Sequence, residues 1–187
     1  MLNGIGTQID LADQAYALAE EIGKYAEQIN EASFGELFGA LQIMLSDRQT
    51  LEATKLFDPV KRYPTRSVPD TLEVLERNAP LWYPPERWKL NEALAQGGAD
   101  PSHLNQLSNE ELTHAVVKHF RNTLPDADTL RQNRDKVIAH NEAIPRSALK
   151  TPTWGEAVDL INYAKDFIIT IGYGYLSTSW GTHRAFT

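Results

Sequence analysis

Residues 129–142, with the sequence TLRQNRDKVIAHNE, gather side chains of the types that carry out phosphate chemistry. Arg134 offers a planar guanidinium that can hold two phosphate oxygens at once. His140 has the only kind of side chain whose ordinary pKa lies near neutrality, so it can take a proton from one oxygen and return it to another. Asp135 supplies a carboxylate that could orient either group. We therefore take Arg134, Asp135 and His140 as candidate catalytic residues.

Three further residues are candidate substrate-binding residues from their proximity in sequence alone: Arg131, Lys136 and Asn141. On an ideal helix, the six positions from Arg134 to His140 correspond to a rotation of about 240°. The two side chains would not share a face of such a helix. We therefore expect His140 at or beyond the helix end, or a site completed by the same segment of a second subunit, which favours a symmetric dimer.

This segment resembles the signature of the HEPN superfamily, in which an arginine and a polar residue are followed, after a short spacer of four to six residues, by a histidine. Five residues lie between Arg134 and His140, the first of which is the polar residue Asp135, and the fuller wording RDKVIAHN is similar to the abortive-infection U branch of these proteins. Residues 45–58, LSDRQTLEATKLFD, look like the early helix of the same branch. The resemblance implies an all-α bundle, usually dimeric, and often a metal-independent ribonuclease of phage defence.

The resemblance also implies roles for the candidate residues. His140 would deprotonate an RNA 2′-hydroxyl or protonate the departing 5′-oxygen, Arg134 would hold the scissile phosphate, and Asp135 would orient one of the two. The products would be a 2′,3′-cyclic phosphate and a 5′-hydroxyl, formed without a metal or another cofactor. RNA is then the expected substrate, and an antitoxin or another defence-system protein the expected partner.

Other interpretations fit the same residues. Arg134 and Asp135 could form a surface ion pair, while His140 could cap a helix end, where its cation meets the helix dipole. Because a fold does not determine a function, a noncatalytic protein that binds RNA, a nucleotide or a partner through this segment stays open. Glu111 and His114 have the spacing of a ligand pair in di-metal bundles, but no second Glu-x-x-His pair occurs, so a metal site is disfavoured.

The composition is that of an ordinary globular protein, with 42% hydrophobic and 23% charged residues in 187, and we predict one domain over residues 1–187. The absence of cysteine excludes disulfides and fits a reducing compartment, and no apolar run is long enough to span a membrane, so we expect a cytoplasmic protein. The net charge of −7 disfavours a general nucleic-acid coat. The charge is uneven, with three basic and ten acidic residues in 1–60 against seven basic and four acidic in 118–150.

The hydrophobic pattern predicts an up-and-down helical bundle with a proline-rich, irregular insertion at residues 58–102 between the early and late helices. A first helix is expected over 7–31, capped at Thr7. Its expected core stripe is Leu11, Ala15, Leu18, Ile22, Tyr25 and Ile29. A second helix is expected from Ser33, with Glu36 completing a capping box, to about Leu56. Its expected apolar side is Phe34, Leu37, Phe38, Leu41, Met44 and Leu45, and glycines at 35 and 39 would let another helix approach closely.

The insertion carries seven of the ten prolines and leaves room for short helices at 68–78 and 86–96. Its aromatic residues Trp82, Tyr83 and Trp88 fit either packing or base stacking, with packing favoured. Later helices are expected to start at Ser108, with Glu111 completing a capping box, and to run from Asp126 to about His140. A last helix is expected to follow Thr153, with a strong core stripe of Ala157, Ile161, Ala164, Ile168, Ile171 and Tyr175.

Overall fold

The computed structural model describes residues 2–59, 66–139 and 153–178, and all regular secondary structure in these ranges is helical. This confirms the all-α prediction. The α-helices are α1 (Leu2–Lys24), α2 (Ala26–Glu31), α3 (Gly35–Lys55), α4 (Val68–Arg77), α5 (Arg87–Gln96), α6 (Pro101–Leu104), α7 (Asn109–Asn122), α8 (Asp128–Asn133) and α9 (Trp154–Leu176). A 3₁₀ turn occupies Ala79–Leu81, and a π-helical segment occupies Arg134–Ala139. None of the helices in the described ranges is long and apolar enough to cross a membrane.

The chain divides into two compact units. The first unit comprises residues 1–6, 58–124 and 163–187, and the second comprises residues 7–57 and 125–162. The proline-rich stretch therefore belongs to the first unit, while the early helices and the segment with the candidate catalytic residues belong to the second. That residues 1–187 form one domain stays a prediction.

In the first unit, local capping signals set the helix starts. The Ser67 side chain accepts a hydrogen bond from the Asp70 backbone N–H at 3.3 Å, and Pro69 occupies the first turn of α4, where its missing N–H costs nothing. At α7 the predicted capping box is confirmed, because Ser108 and Glu111 bond each other's backbone N–H groups at 3.2 and 2.8 Å. Both helices therefore begin where the sequence predicts.

The proline-rich stretch forms α4 and α5 close to the predicted bounds, and both helices pack against α7. Arg87 links this stretch by hydrogen bonds to residues 104–109. Its guanidinium donates to the Leu104 carbonyl at 3.0 Å, to the Leu107 carbonyl, and to the Asn109 side chain at 3.2 Å. These bonds satisfy backbone carbonyls between α6 and α7, so this arginine has a structural use.

In the second unit, the prediction for the first helix is wrong in its bounds and in its buried side. α1 starts at Leu2 and not at Thr7, and a turn at Tyr25 separates it from α2. The buried residues of α1 in this unit are largely small, namely Ile9, Ala12, Ala15 and Ala19. By contrast, Leu18 and Tyr25 are more than half exposed. Small side chains allow another helix to pack closely. A prediction that gives more weight to large apolar residues therefore selects a neighbouring side of α1 as the buried one.

The prediction for α3 is correct at its end and wrong at its start. Ser33 has a positive φ of 63° and does not cap the helix, which begins at Gly35 with no side-chain cap. The side chains expected to be buried lie in the first half of α3 and are largely exposed, with Leu37 at 57% and Met44 at 66%. Burial falls instead on the second half of α3, where five consecutive or near-consecutive positions are covered: Gln49, Thr50, Glu52, Ala53 and Thr54.

α9 follows the prediction closely. Thr153 and Glu156 form a reciprocal cap, in which the Thr153 N–H donates to the Glu156 carboxylate at 2.8 Å and the Glu156 N–H donates to the Thr153 hydroxyl at 3.2 Å. Every member of the predicted core stripe is buried: Ala157, Ile161, Ala164, Ile168, Ile171 and Tyr175.

Gly174 on α9 provides a test of packing in the first unit. A Cβ atom at this position would lie 2.7 Å from Cγ of Leu90, which is fully buried and cannot move aside. We expect Gly174→Ala to lower the free energy of unfolding by about 1–3 kcal/mol, although alanine is the better helix former. The matched variant Gly39→Ala has no heavy atom within 4 Å of its new Cβ and should raise it by up to about 1 kcal/mol. Equal effects in urea denaturation would contradict this packing.

His119 on α7 gives a pH-dependent prediction. Its ring packs edge-on to Phe120 at 5.2 Å, and burial lowers its pKa below the ordinary value of 6.5. The unfolded chain therefore binds a proton at a higher pH than the native chain, and this contribution to stability is complete above pH 6.5 and falls as the pH drops below it. Between about pH 7.5 and about pH 5.5, wild type should lose more unfolding free energy than His119→Gln. The exposed-site variant His103→Gln should behave as wild type, and identical losses in all three would contradict the assignment.

Candidate functional site

The segment with the candidate catalytic residues is built differently from the predicted helix over 126–140. α8 begins at Asp128, because the Asp126 carboxylate accepts the Asp128 N–H at 2.8 Å and forms a turn before the helix. From Arg134 to Ala139 the backbone is π-helical. Such segments are rare and are frequent at functional sites.

The π-helical backbone changes the geometric argument made from the sequence. In a π-helix the hydrogen bonds join residues five apart, so each turn contains more residues than an α-turn. The rotation of about 240° between Arg134 and His140 was calculated for an α-helix and does not apply across residues 134–139. His140 and Asn141, together with residues 142–152, lie outside the described residues.

Arg134 and Asp135 form a direct pair at the start of the π-helical segment. Arg134 Nε donates to Asp135 Oδ1 at 2.7 Å. The Arg134 side chain is only 15% exposed, against 55% for Asp135. The pair is therefore more enclosed than an ordinary surface ion pair.

Arg131 and Lys136 differ in how far they are committed to the protein itself. Arg131 pairs with Asp128 at 2.5 Å and donates to the backbone carbonyl of Phe57 at 3.4 Å, so it ties α8 to the end of α3. Its Nε is buried and has no hydrogen-bond partner among the described residues. Lys136 is half-buried and has no ion-pair partner in the described part of the chain. Arg131 therefore has a structural use, and its role in substrate binding stays a prediction.

α3 carries buried polar side chains and belongs to the same unit as the π-helical segment. This helix packs against both α8 and the π-helical segment. Glu52 is 2% exposed and pairs with Arg48 at 3.0 Å and with Lys55 at 3.1 Å. Gln49 is 1% exposed, and its side-chain nitrogen has no hydrogen-bond partner among the described residues. A buried donor of this kind is uncommon and is a recognised property of functional sites.

Gln49 and Glu52 were not assigned a role from the sequence, although they lie inside the stretch 45–58 that carried the second resemblance. Because these residues are three positions apart, they lie on one side of the helix. This spacing was the signal in the sequence that could have identified them. Polar residues at helical spacing are usually solvent-facing, so the signal was not distinctive.

The aromatic residues of the first unit divide between the two interpretations. Trp82 packs edge-on to Tyr175 with ring centroids 5.6 Å apart, which supports packing. Tyr83 and Trp88 are exposed. Glu111 is held in the α7 cap, and within the described residues no group of three or more histidine or acidic side chains is placed to bind a metal.

The comparison with protein families identifies the chain at the family level. The model of the HEPN-type AbiU2 family matches residues 3–187. No curated protein and no solved structure shows significant similarity to the chain. The family match covers almost the whole sequence, including both stretches that carried the resemblance.

The buried cluster of Glu52, Arg48 and Lys55 makes a clear energetic prediction. Each of Arg48→Met and Lys55→Met leaves Glu52 with one cation, so each should cost at most about 1 kcal/mol of unfolding free energy. The double variant leaves a buried carboxylate without a cation and should cost about 3–5 kcal/mol. Urea denaturation of the four proteins measures this excess. Additive small effects would show that Glu52 does not depend on these cations.

Proposed function

The chain belongs to the AbiU2 family of HEPN proteins, a family associated with abortive infection, and on this basis we propose that it is a metal-independent endoribonuclease of phage defence acting on cytoplasmic RNA. The observation that carries the proposal is the enclosed guanidinium of Arg134, held by Asp135 in a π-helical turn. A binding surface for RNA in general would instead present several exposed cations.

Arg134 would bind the scissile phosphate. A guanidinium carries five N–H donors in a fixed plane, so the bond from Nε to Asp135 sets the direction in which the other donors point. Held in this way, the cation would meet the negative charge that develops on the phosphate oxygens without first having to reorganise. Asp135 is thus a positioning residue for Arg134, and its partly exposed carboxylate keeps the pair from being costly.

His140 would move the proton. A neutral imidazole would take the proton from an RNA 2′-hydroxyl, the 2′-oxygen would bond to phosphorus, and the bond from phosphorus to the 5′-oxygen would break. A proton delivered to that oxygen, by His140 or by its counterpart in a second subunit, would leave a 2′,3′-cyclic phosphate and a 5′-hydroxyl. A homodimer fits this need for two proton-transfer groups. Lys136 and Asn141 would contact neighbouring parts of the RNA.

α3 would support the position of the π-helical segment. Glu52 and its two cations stabilise the second half of α3, and the π-helical segment packs against this helix. The side-chain N–H of Gln49, which has no partner among the described residues, would be satisfied by an ordered water. An antitoxin or another defence-system protein would keep such an activity in check until infection.

The test is cleavage of total RNA and of defined oligonucleotides by the purified chain in excess EDTA. Arg134→Ala and His140→Ala should each lower the cleavage rate by about a hundredfold or more, with product ends that are cyclic phosphates. Arg77→Ala removes an exposed, paired arginine from α4, and His103→Ala removes an exposed histidine from α6. These two matched controls should cleave as wild type does, and all variants should be compared for folding and oligomeric state.

Three results would count against the proposal in different ways. Cleavage that needs a divalent metal would contradict the mechanism. Cleavage that survives both site substitutions would assign the activity to another site or to a contaminant. If no RNA is cleaved but RNA still binds and Arg134→Ala weakens that binding, the noncatalytic alternative replaces the enzyme.

A further inference from the structure

α3 exposes large apolar side chains on more than one side. Leu37, Leu41 and Met44 are exposed and recur at spacings of four and three. At about 100° per residue, they lie on a different side of α3 from Ile43, which is exposed as well. Scattered apolar residues at a surface are ordinary, but the side that carries Ile43 borders a groove of the second unit.

A groove lies between α1 and α3 in this unit, with a volume of about 530 Å³. We call it the α1/α3 groove and define it by Tyr16, Ala19, Gly39, Ile43, Ser46 and Trp154. Its floor is made of small residues, and a Cβ placed on Gly39 would meet no heavy atom within 4 Å. The close helix approach that Gly39 would permit is therefore not used by any described helix of the chain.

The walls of the groove are apolar and aromatic. The rings of Tyr16 and Trp154 lie 5.8 Å apart at a tilt of 59°, and Ile43 is 62% exposed beside them. The single charged side chain among the described lining residues is Glu20, whose carboxylate accepts the Tyr16 hydroxyl at 2.8 Å. The groove thus offers apolar contact with a negative charge at its edge.

The charge around the groove is one-sided. All three basic residues of positions 1–60 are already in ion pairs, Lys24 with Glu21 at 2.7 Å and both Arg48 and Lys55 with Glu52. Four exposed carboxylates of α1 to α3 make no ion pair with any described residue: Glu20, Glu27, Glu31 and Glu36. The surface of α1 to α3 therefore has an uncompensated negative charge, and one of these carboxylates, Glu20, lines the groove itself.

We propose that the α1/α3 groove binds a cationic amphipathic helix of a partner protein. Large aliphatic side chains on one face of that helix would enter the groove over Gly39 and pack against Trp154. Lysine or arginine side chains on either side of this face would form ion pairs with Glu20 and Glu36. A nucleic acid is a poor occupant, because its phosphates would face these carboxylates. A second copy docked groove to groove would bring the same carboxylates together, which is unfavourable.

The experiment uses the full chain and two synthetic helical peptides with the same leucine face, one flanked by lysine and one by glutamate. Fluorescence anisotropy of the labelled peptide gives its Kd. We expect the lysine peptide to bind, and to bind about tenfold or more weakly when salt is raised from about 0.05 M to about 0.5 M. Gly39→Leu fills the groove without changing charge and should weaken binding by about tenfold or more. Ala40→Leu places the same side chain one residue along, outside the groove, and should not weaken it.

A charge test separates the two parts of the proposal. Glu20→Lys with Glu36→Lys should weaken the lysine peptide and improve the glutamate peptide, whereas Glu110→Lys on α7 should change neither. The proposal is overturned if the lysine peptide fails to bind, if Gly39→Leu leaves its Kd unchanged, or if both peptides bind wild type equally. It is also overturned if sedimentation shows that wild type self-associates and that Gly39→Leu abolishes this association, because the occupant would then be a second copy.

Discussion

The burial of the Glu52 carboxylate depends on two cations of its own helix. It is almost fully buried on α3 and is neutralised by Arg48, one turn before it, and by Lys55, one turn after it. Because an unpaired charge in this position would cost several kcal/mol, α3 can turn this side inward only while the carboxylate keeps a cation. The side of α3 that is turned inward in turn decides which of its side chains meet α8 and the π-helical segment. The packing of the segment that begins at Arg134 thus depends on an ion cluster within a different helix.

Local signals in the sequence predicted much of the fold. Ser108 and Thr153 each start a helix with an acidic residue three positions later, and such caps depend only on nearby residues. The buried sides of α1 and α3 could not be predicted in this way. Both helices carry apolar residues on more than one side, and the choice between sides depends on which neighbours pack closely, as Ala12 and Ala19 do in α1.

The candidate site was only partly predictable for related reasons. Residue type and spacing were enough to select Arg134 and Asp135, which the structure pairs. The π-helical hydrogen bonding was not predictable, because the same side-chain pattern fits α- and π-helical backbones that differ by one residue per hydrogen-bonded turn. Gln49 and Glu52 escaped notice because polar residues are expected at the surface, and their burial depends on the packing of α3 against another part of the chain.

The π-helical turn has a consequence for how the family's motif tolerates variation. A helix whose hydrogen bonds join residues five apart takes up one residue more per turn than an α-helix does. The number of residues between the arginine and the histidine of the motif can therefore vary while the chain between them stays helical over residues 134–139. Insertion or deletion of a residue would be absorbed as a change in winding, and the register of the arginine against α3 would be preserved.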